Sequence, residues 1–247
     1  MRNIKLEIEY DGGRYEGWQK QAGRQQGVAV QEKLEDVLRK MTQEEIELIG
    51  AARTEAGVHA YAQIANFRSE TQMKLHEIKH YMNRYLPRDI AVTGVWEAPE
   101  RFHAAFHAKA FLYEYRIGIG EVPSVFERRY SYYSFDRLDI RKMQEAAAFC
   151  IGRHDFRAFS DNRRMKKSTE REIFEIDIYG DSAEILISVK GDDFWPNMVR
   201  ILVGTLMQAG NGAIAPARMK EIIQSRDRSL AGETAEARGL FLRECCY

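Results

Sequence analysis

The stretch Gly50-Ala51-Ala52-Arg53-Thr54-Glu55-Ala56-Gly57-Val58-His59-Ala60 sets one carboxylate beside one guanidinium in a run of small residues. Small side chains let a backbone approach a ligand closely, and an arginine two positions before an acid can orient that acid or contact a phosphate. Alone, the same pattern also fits an ordinary surface connection. A second candidate is His76-Glu77-Ile78-Lys79-His80, which spells the H-E-x-x-H helix of zinc proteases. At about 100° per residue the apolar face of that helix is set by Leu75, Ile78, Met82, Tyr85 and Leu86. His76 and His80 then turn toward solvent, and nothing downstream supplies an obvious third ligand, so a polar helix face is the better reading. Gly118-Ile119-Gly120 lacks the third glycine and following helix of a dinucleotide site, and no Gly-x-Ser-x-Gly elbow occurs.

The first loop does not stand alone. Tyr10-Asp11-Gly12-Gly13-Arg14-Tyr15-Glu16-Gly17-Trp18-Gln19-Lys20-Gln21 resembles the Y-D-G-x-x-Y-x-G-W-Q-x-Q opening of the tRNA pseudouridine synthases of the TruA-like family. Arg53-Thr54-Glu55-Ala56-Gly57-Val58-His59-Ala60 resembles their R-T-D-A-G-V-H-A signature. Further blocks follow in the same order: Leu86-Pro87-Arg88-Asp89-Ile90, Phe102-His103-Ala104, Tyr113-Glu114-Tyr115, residues 152–159, residues 198–205, Ala231-Gly232-Glu233-Thr234-Ala235 and Gly239-Leu240-Phe241-Leu242. They cover nearly the whole chain in register.

That resemblance implies an α+β fold in which two ferredoxin-like halves form one extended antiparallel sheet, with helices on one side and a central RNA-binding cleft. It implies a homodimer that converts uridines of the tRNA anticodon stem-loop, positions 38 to 40, to pseudouridine with no cofactor and no metal. A uridine stacked in a stem is out of reach, so the base must flip out before any chemistry. A carboxylate nucleophile then divides one hard bond exchange into two easier steps. Carried over residue by residue, Glu55 is the nucleophile and Arg53 helps hold the flipped nucleotide. Tyr113 packs against the target base, Arg200 pairs with the acid, and Leu240 is an apolar wall. His103, in the F-H-A block, is assigned to RNA binding.

The chain departs from the pattern at several points. The family acid is aspartate; Glu55 adds a methylene and displaces the carboxylate by about 1 Å, a shift that can cost on the order of 100-fold in rate. Ala52 stands where glycine is usual, where it adds a Cβ to a tight turn. Ala105, Phe111 and Leu112 replace basic residues, and Trp195-Pro196-Asn197 is unusual before the Met-Val-Arg block. Glutamate is a competent nucleophile by type, so the expectation is a synthase whose pocket is adjusted to Glu55. The alternative is a paralogue that keeps RNA binding with weak or no isomerase activity.

The elements that must position these residues follow from periodicity. Ile4, Leu6, Ile8 and Tyr10 alternate with Lys5, Glu7 and Glu9, which predicts a strand. Val30, Leu34, Val37, Leu38 and Met41 predict a helix; strands over 45–49, about 59–67 and 90–96 and a helix over 75–86 complete a β-α-β-β-α-β half. The second half reads as a strand over 111–119, a helix over 138–150, a hairpin of 173–179 and 183–189, a helix from about Trp195 to Ala209, and another with Pro216 in its first turn. Domains over residues 1–105, carrying the active loop, and 106–247, completing the cleft, are expected.

At 247 residues, 45% hydrophobic and 30% charged, the composition excludes a disordered or fibrous chain. No apolar run approaches the ~20 residues that span a bilayer, and the start lacks a signal-peptide core, so a cytoplasmic location is expected. Cys150 stands alone, and adjacent Cys245 and Cys246 are poorly placed for an ordinary disulfide. The 37 Lys+Arg balance 37 Asp+Glu, which argues at first against a nucleic-acid partner. Distribution answers that: Arg163, Arg164, Lys166 and Lys167 face only Asp161 in one short stretch, a candidate RNA-binding patch.

Overall fold

The alternation of the opening segment folds as expected: Ile4, Leu6, Ile8 and Tyr10 are buried while Lys5, Glu7 and Glu9 reach outward. The computed structural model describes residues 1–19, 27–161 and 168–247. In chain order the elements are β1 (Arg2–Tyr10), α1 (Val30–Thr42), β2 (Ile49–Gly50), β3 (His59–Ser69), α2 (Leu75–Tyr85), β4 (Ile90–Ala98), β5 (Ala110–Gly118), β6 (Tyr132–Tyr133), α3 (Ile140–Ala148), β7 (Gly152–Asp155), β8 (Glu170–Gly180), β9 (Glu184–Gly191), α4 (Met198–Gly210), α5 (Arg218–Ser225) and β10 (Leu240–Cys246). The α+β class expected from the sequence is the one observed.

Two compact units result. The first comprises Met1–Lys109 and Phe241–Tyr247, the second Ala110–Leu240. The halves expected from the sequence left residues 241–247 with the second; the structure groups them with the first. In the first unit the strand order is β4-β1-β3-β10, with β2 on β3. β1 runs antiparallel to both β3 and β4, whereas β10 lies parallel to β3, Phe241 opposite His59 and Leu242 opposite Ala60. In the second unit the order is β5-β9-β8-β7, antiparallel throughout. There β6 joins β5 in parallel at Ile117 and Gly118. The expectation of antiparallel pairing is thus corrected at these two short parallel contacts.

The helices bury the stripes their spacing predicts. α1 buries Val30, Leu34, Val37 and Leu38, and Glu32 caps its start by accepting the Ala29 N–H at 2.9 Å. α2 buries Ile78 and Met82 but leaves Tyr85 exposed, against expectation. α4 buries nine of its residues. It begins at Met198 rather than Trp195 because Asn197, at φ 63°, adopts the left-handed conformation and breaks the helical path. The helix with Pro216 begins instead at Arg218. The strand expected over 45–49 is reduced to Ile49–Gly50, since the Leu48 N–H donates to Glu35 Oε1 and its carbonyl accepts from Gln31 Nε2, both side chains of α1.

Candidate active site

The segment 50–59 leaves β2 and enters β3, and the Tyr10–Trp18 block holds it in place. The Thr54 hydroxyl lies 2.7 Å from the Tyr10 hydroxyl, with both side chains buried. Burial pushes the Tyr10 hydroxyl well above the ordinary tyrosine range, so it keeps its proton. The Trp18 N–H donates to the Thr54 carbonyl at 3.0 Å, and the Gly57 N–H to the Tyr15 carbonyl at 3.3 Å. Gly17 sits at φ +103°, and a Cβ there would collide with the Thr54 carbonyl, so glycine is required on both counts. The Gly12 N–H donates to His59 Nδ1 at 3.1 Å, and the His59 ring stacks on Phe241 at 4.7 Å.

Backing this clamp is Asp89 of the Leu86–Ile90 block. Its carboxylate accepts the Tyr15 hydroxyl at 2.6 Å and pairs with Arg14, while its carbonyl accepts the Asp11 N–H. At the far end of the loop, Gln63 is fully buried and bonds Ala52 twice: Oε1 accepts the Ala52 N–H at 3.1 Å and Nε2 donates to the Ala52 carbonyl at 2.8 Å. Ala52 is not among the positive-φ residues, so the Cβ that replaces the usual glycine is accommodated without strain. The result is an outward Arg53, an inward Thr54 and a half-buried Glu55. His103 lies in the same unit, stacked on Phe106 at 4.0 Å, with its Nδ1 accepting the Phe106 N–H. Ala104 beside it is anchored through its N–H to Asn66.

The other expected residues belong to the second unit. Tyr113 is buried on β5 and meets Phe194 edge-on at 5.4 Å. Leu240, which opens β10, is buried. Arg200 donates from Nε to the Ala235 carbonyl at 2.6 Å and from Nη1 to Asn197 Oδ1 at 3.0 Å, so it braces the 231–235 block. Three residues to which the sequence reading gave no structural role, Asp161, Asn197 and Arg228, complete this frame. Asp161 accepts from Asn197 Nδ2 and from Arg228 Nε, each at 2.9 Å, and Arg228 donates onward to the Gly232 carbonyl and the Thr234 hydroxyl. Asn197 belongs to the Trp-Pro-Asn stretch that looked out of pattern, and here that stretch has a structural use. The patch Arg163, Arg164, Lys166 and Lys167 lies outside the described residues.

The sequence pattern of the family described as tRNA pseudouridine synthase matches residues 7–107 and 146–247. The chain belongs to the tRNA pseudouridine synthase family. Curated relatives match along the full length: "tRNA pseudouridine synthase A 2" of Bacillus anthracis is 40% identical over 98% of both chains. The Clostridium tetani protein of the same name is 42% identical over 100% of this chain and 99% of its own. "tRNA pseudouridine synthase A" of Bacillus sp. (strain KSM-64) is 44% identical over 98% of both. Among solved structures, a chain of a Cbf5-Nop10-Gar1 complex is similar at 10% identity and a TM-score of 0.35, over 83% of this chain and about half (54%) of its own.

Membership gives the clamp its meaning: the opening block, the R-T-E loop and the Leu86–Ile90 block are distant in sequence yet touch around Thr54 and Asp89. The H-E-x-x-H match is explained on its helix. His76 and His80 are exposed, and the Glu77 carboxylate accepts the Lys74 N–H at 2.7 Å as the cap of α2. Among the described residues no group of three or more His, Cys, Asp or Glu is arranged to hold a metal ion.

Proposed function

We propose that the protein isomerises uridine to pseudouridine in the anticodon stem-loop of tRNA, at positions 38 to 40, with Glu55 as nucleophile. The observation that carries this reading is the R-T-E loop, which presents Glu55 beside an outward Arg53 from a backbone bonded to the family's opening block. In this reading the uridine flips out, the Glu55 carboxylate attacks, and the N-glycosidic bond breaks. The base rotates and its C5 attacks the same ribose carbon, displacing the Glu55 carboxylate; C5 loses its proton and N1 gains one, so Glu55 is regenerated and the product is an isomer of the substrate. Arg53 holds the flipped nucleotide, Tyr113 packs on the base, Leu240 forms an apolar wall, and Arg200 serves as the cation of the acid. Each of these assignments rests on position in a family block. His103, Arg163, Arg164, Lys166 and Lys167 bind RNA.

The proposed protein is a cytoplasmic homodimer. No helix among the described residues is long and apolar enough to cross a membrane, which is compatible with that location. Light scattering on the eluting protein tests the dimer.

The central test is tritium release from anticodon stem-loop RNA labelled at uridine C5. Wild type is expected to release tritium, and Glu55→Gln to lose at least about 1000-fold in rate, as removal of a nucleophile does. A wild type that binds RNA without releasing tritium, while Glu55→Asp releases it, would overturn the reading in favour of an RNA-binding paralogue.

A further inference from the structure

The residues on either side of Arg53 are both buried, and each is held at two points. Ala52 is 7% exposed and Thr54 4%. Before Ala52, the β2–β3 ladder runs Ile49 opposite Asn66 and Gly50 opposite Ala65, and the Ala51 N–H donates to the Ile64 carbonyl at 2.7 Å. The next rung would be Ala52 on Gln63. On its other edge Gln63 lies opposite Ile8 of β1, and the β2 pairing ends at Gly50 opposite Ala65. The Gln63 side-chain amide takes over instead, bonding the N–H and the carbonyl of Ala52 at once. A side-chain amide copies the donor and acceptor pair of a strand neighbour, so the ladder gains one more rung while the backbone is free to peel away into the loop.

Two residues on, the Tyr10 hydroxyl takes the Thr54 hydroxyl, and the Trp18 N–H takes its carbonyl. Arg53 is therefore bracketed by four hydrogen bonds, which hold the backbone on the N-terminal side of Glu55. A glutamate has one more side-chain torsion than an aspartate, so a backbone fixed this closely limits what the extra methylene can scatter.

We propose that Gln63 and Tyr10 are positioning residues, a two-ended clamp that fixes the Arg53–Glu55 segment for reaction. A leucine at 63 or a phenylalanine at 10 would fill the same space, so packing alone does not call for the amide or the hydroxyl. The reacting role of Glu55 rests on the function proposed above; the clamp itself rests on these contacts.

The test compares wild type, Tyr10→Phe, Thr54→Val, Thr54→Ser and Gln63→Leu by single-turnover tritium release at saturating enzyme, tRNA affinity by filter binding, and hydrogen exchange of the peptide covering residues 52–58. Tyr10→Phe and Thr54→Val are expected to slow the single-turnover rate by about 10- to 100-fold, with tRNA affinity within about 3-fold of wild type and exchange of residues 52–58 at least about 10-fold faster. Thr54→Ser, which restores the hydroxyl, recovers most of the rate lost in Thr54→Val. Gln63→Leu behaves as Tyr10→Phe does; if it fails to fold, the one-oxygen changes at 10 and 54 still decide. Rates within about 2-fold of wild type in Tyr10→Phe and Thr54→Val, or unchanged exchange, overturn the clamp. A wild type without turnover sinks the functional reading instead, and the exchange arm still judges the clamp.

Discussion

Thr54 turns inward between an outward Arg53 and a half-buried Glu55, and the buried hydroxyl pair with Tyr10 keeps it there. At this scale the energetic cost of error lies in unsatisfied groups. Gln63→Leu leaves the buried Ala52 N–H and carbonyl without their partner, a loss of about 2 kcal/mol or more. For a chain of this length that lowers the thermal midpoint by roughly 4–8 °C, which differential scanning fluorimetry reads directly. Glu55 could be singled out in the sequence as the candidate acid because it stands beside Arg53 in a loop flanked by matching blocks. Gln63 was not legible: it sits in an alternating strand, and its second role appears only when the chain folds back to bring Ala52 beside it. Arg200 was legible as a position, but its bonds to Asn197 and Ala235 were not, since they join three separate segments.

At the scale of elements, the Leu86–Ile90 block is the brace of the site although it carries no chemistry. Asp89 holds Tyr15, which is 5% exposed, through a 2.6 Å bond. A hydrogen bond to a charged acceptor contributes about 1.5–3 kcal/mol, so Asp89→Ala is expected to lower stability in urea titrations by that amount and to slow turnover by loosening the Tyr10–Trp18 block. Arg14→Ala, at an exposed partner of the same carboxylate, is expected to leave the urea midpoint within error. Helices were the most legible elements, because a stripe such as Val30, Leu34, Val37 and Leu38 has one period and one meaning. Strand ends were less so: Ile46 and Leu48 are buried as a strand would bury them, yet their segment bonds to α1 side chains rather than to β3. That choice depends on Gln31 and Glu35, and no local pattern records it.

For the whole molecule, the proposed reading asks a neutral chain to bind RNA through a local run of cations. If Arg163, Arg164, Lys166 and Lys167 each contact a phosphate, replacing all four with alanine makes the plot of log affinity against log salt shallower by roughly 0.7–0.9 per cation. An unchanged slope in filter binding would remove the patch from the RNA surface. Each unit also buries one thiol, Cys245 in the first and Cys150 in the second, and burial pushes both up to about 12 from the ordinary thiol value of 9.0. The sign follows from linkage: the unfolded thiols ionise first, so the folded state loses stability as pH rises from about 9 toward 12 and is unaffected below that window. Thermal midpoints are expected to fall across this range, and less steeply in Cys150→Ala. The division into units was legible only in part, because the membership of residues 241–247 is decided by a pairing between segments some 180 residues apart, Phe241 with His59.

That pairing also dictates a timetable. The first unit contains the opening 109 residues, yet its sheet lacks a strand until Phe241–Tyr247 has been made. During synthesis, the His59–Ala60 end of one edge of β3 stays unpaired, the rings of His59 and Tyr61 lacking Phe241, until the second unit has emerged. Contacts of such long sequence separation form late and slowly, and an uncovered strand edge is a template for unwanted pairing. The loop bearing Glu55 feeds directly into β3, so the segment that carries the proposed chemistry rests on a strand supplied from some 180 residues further along the chain.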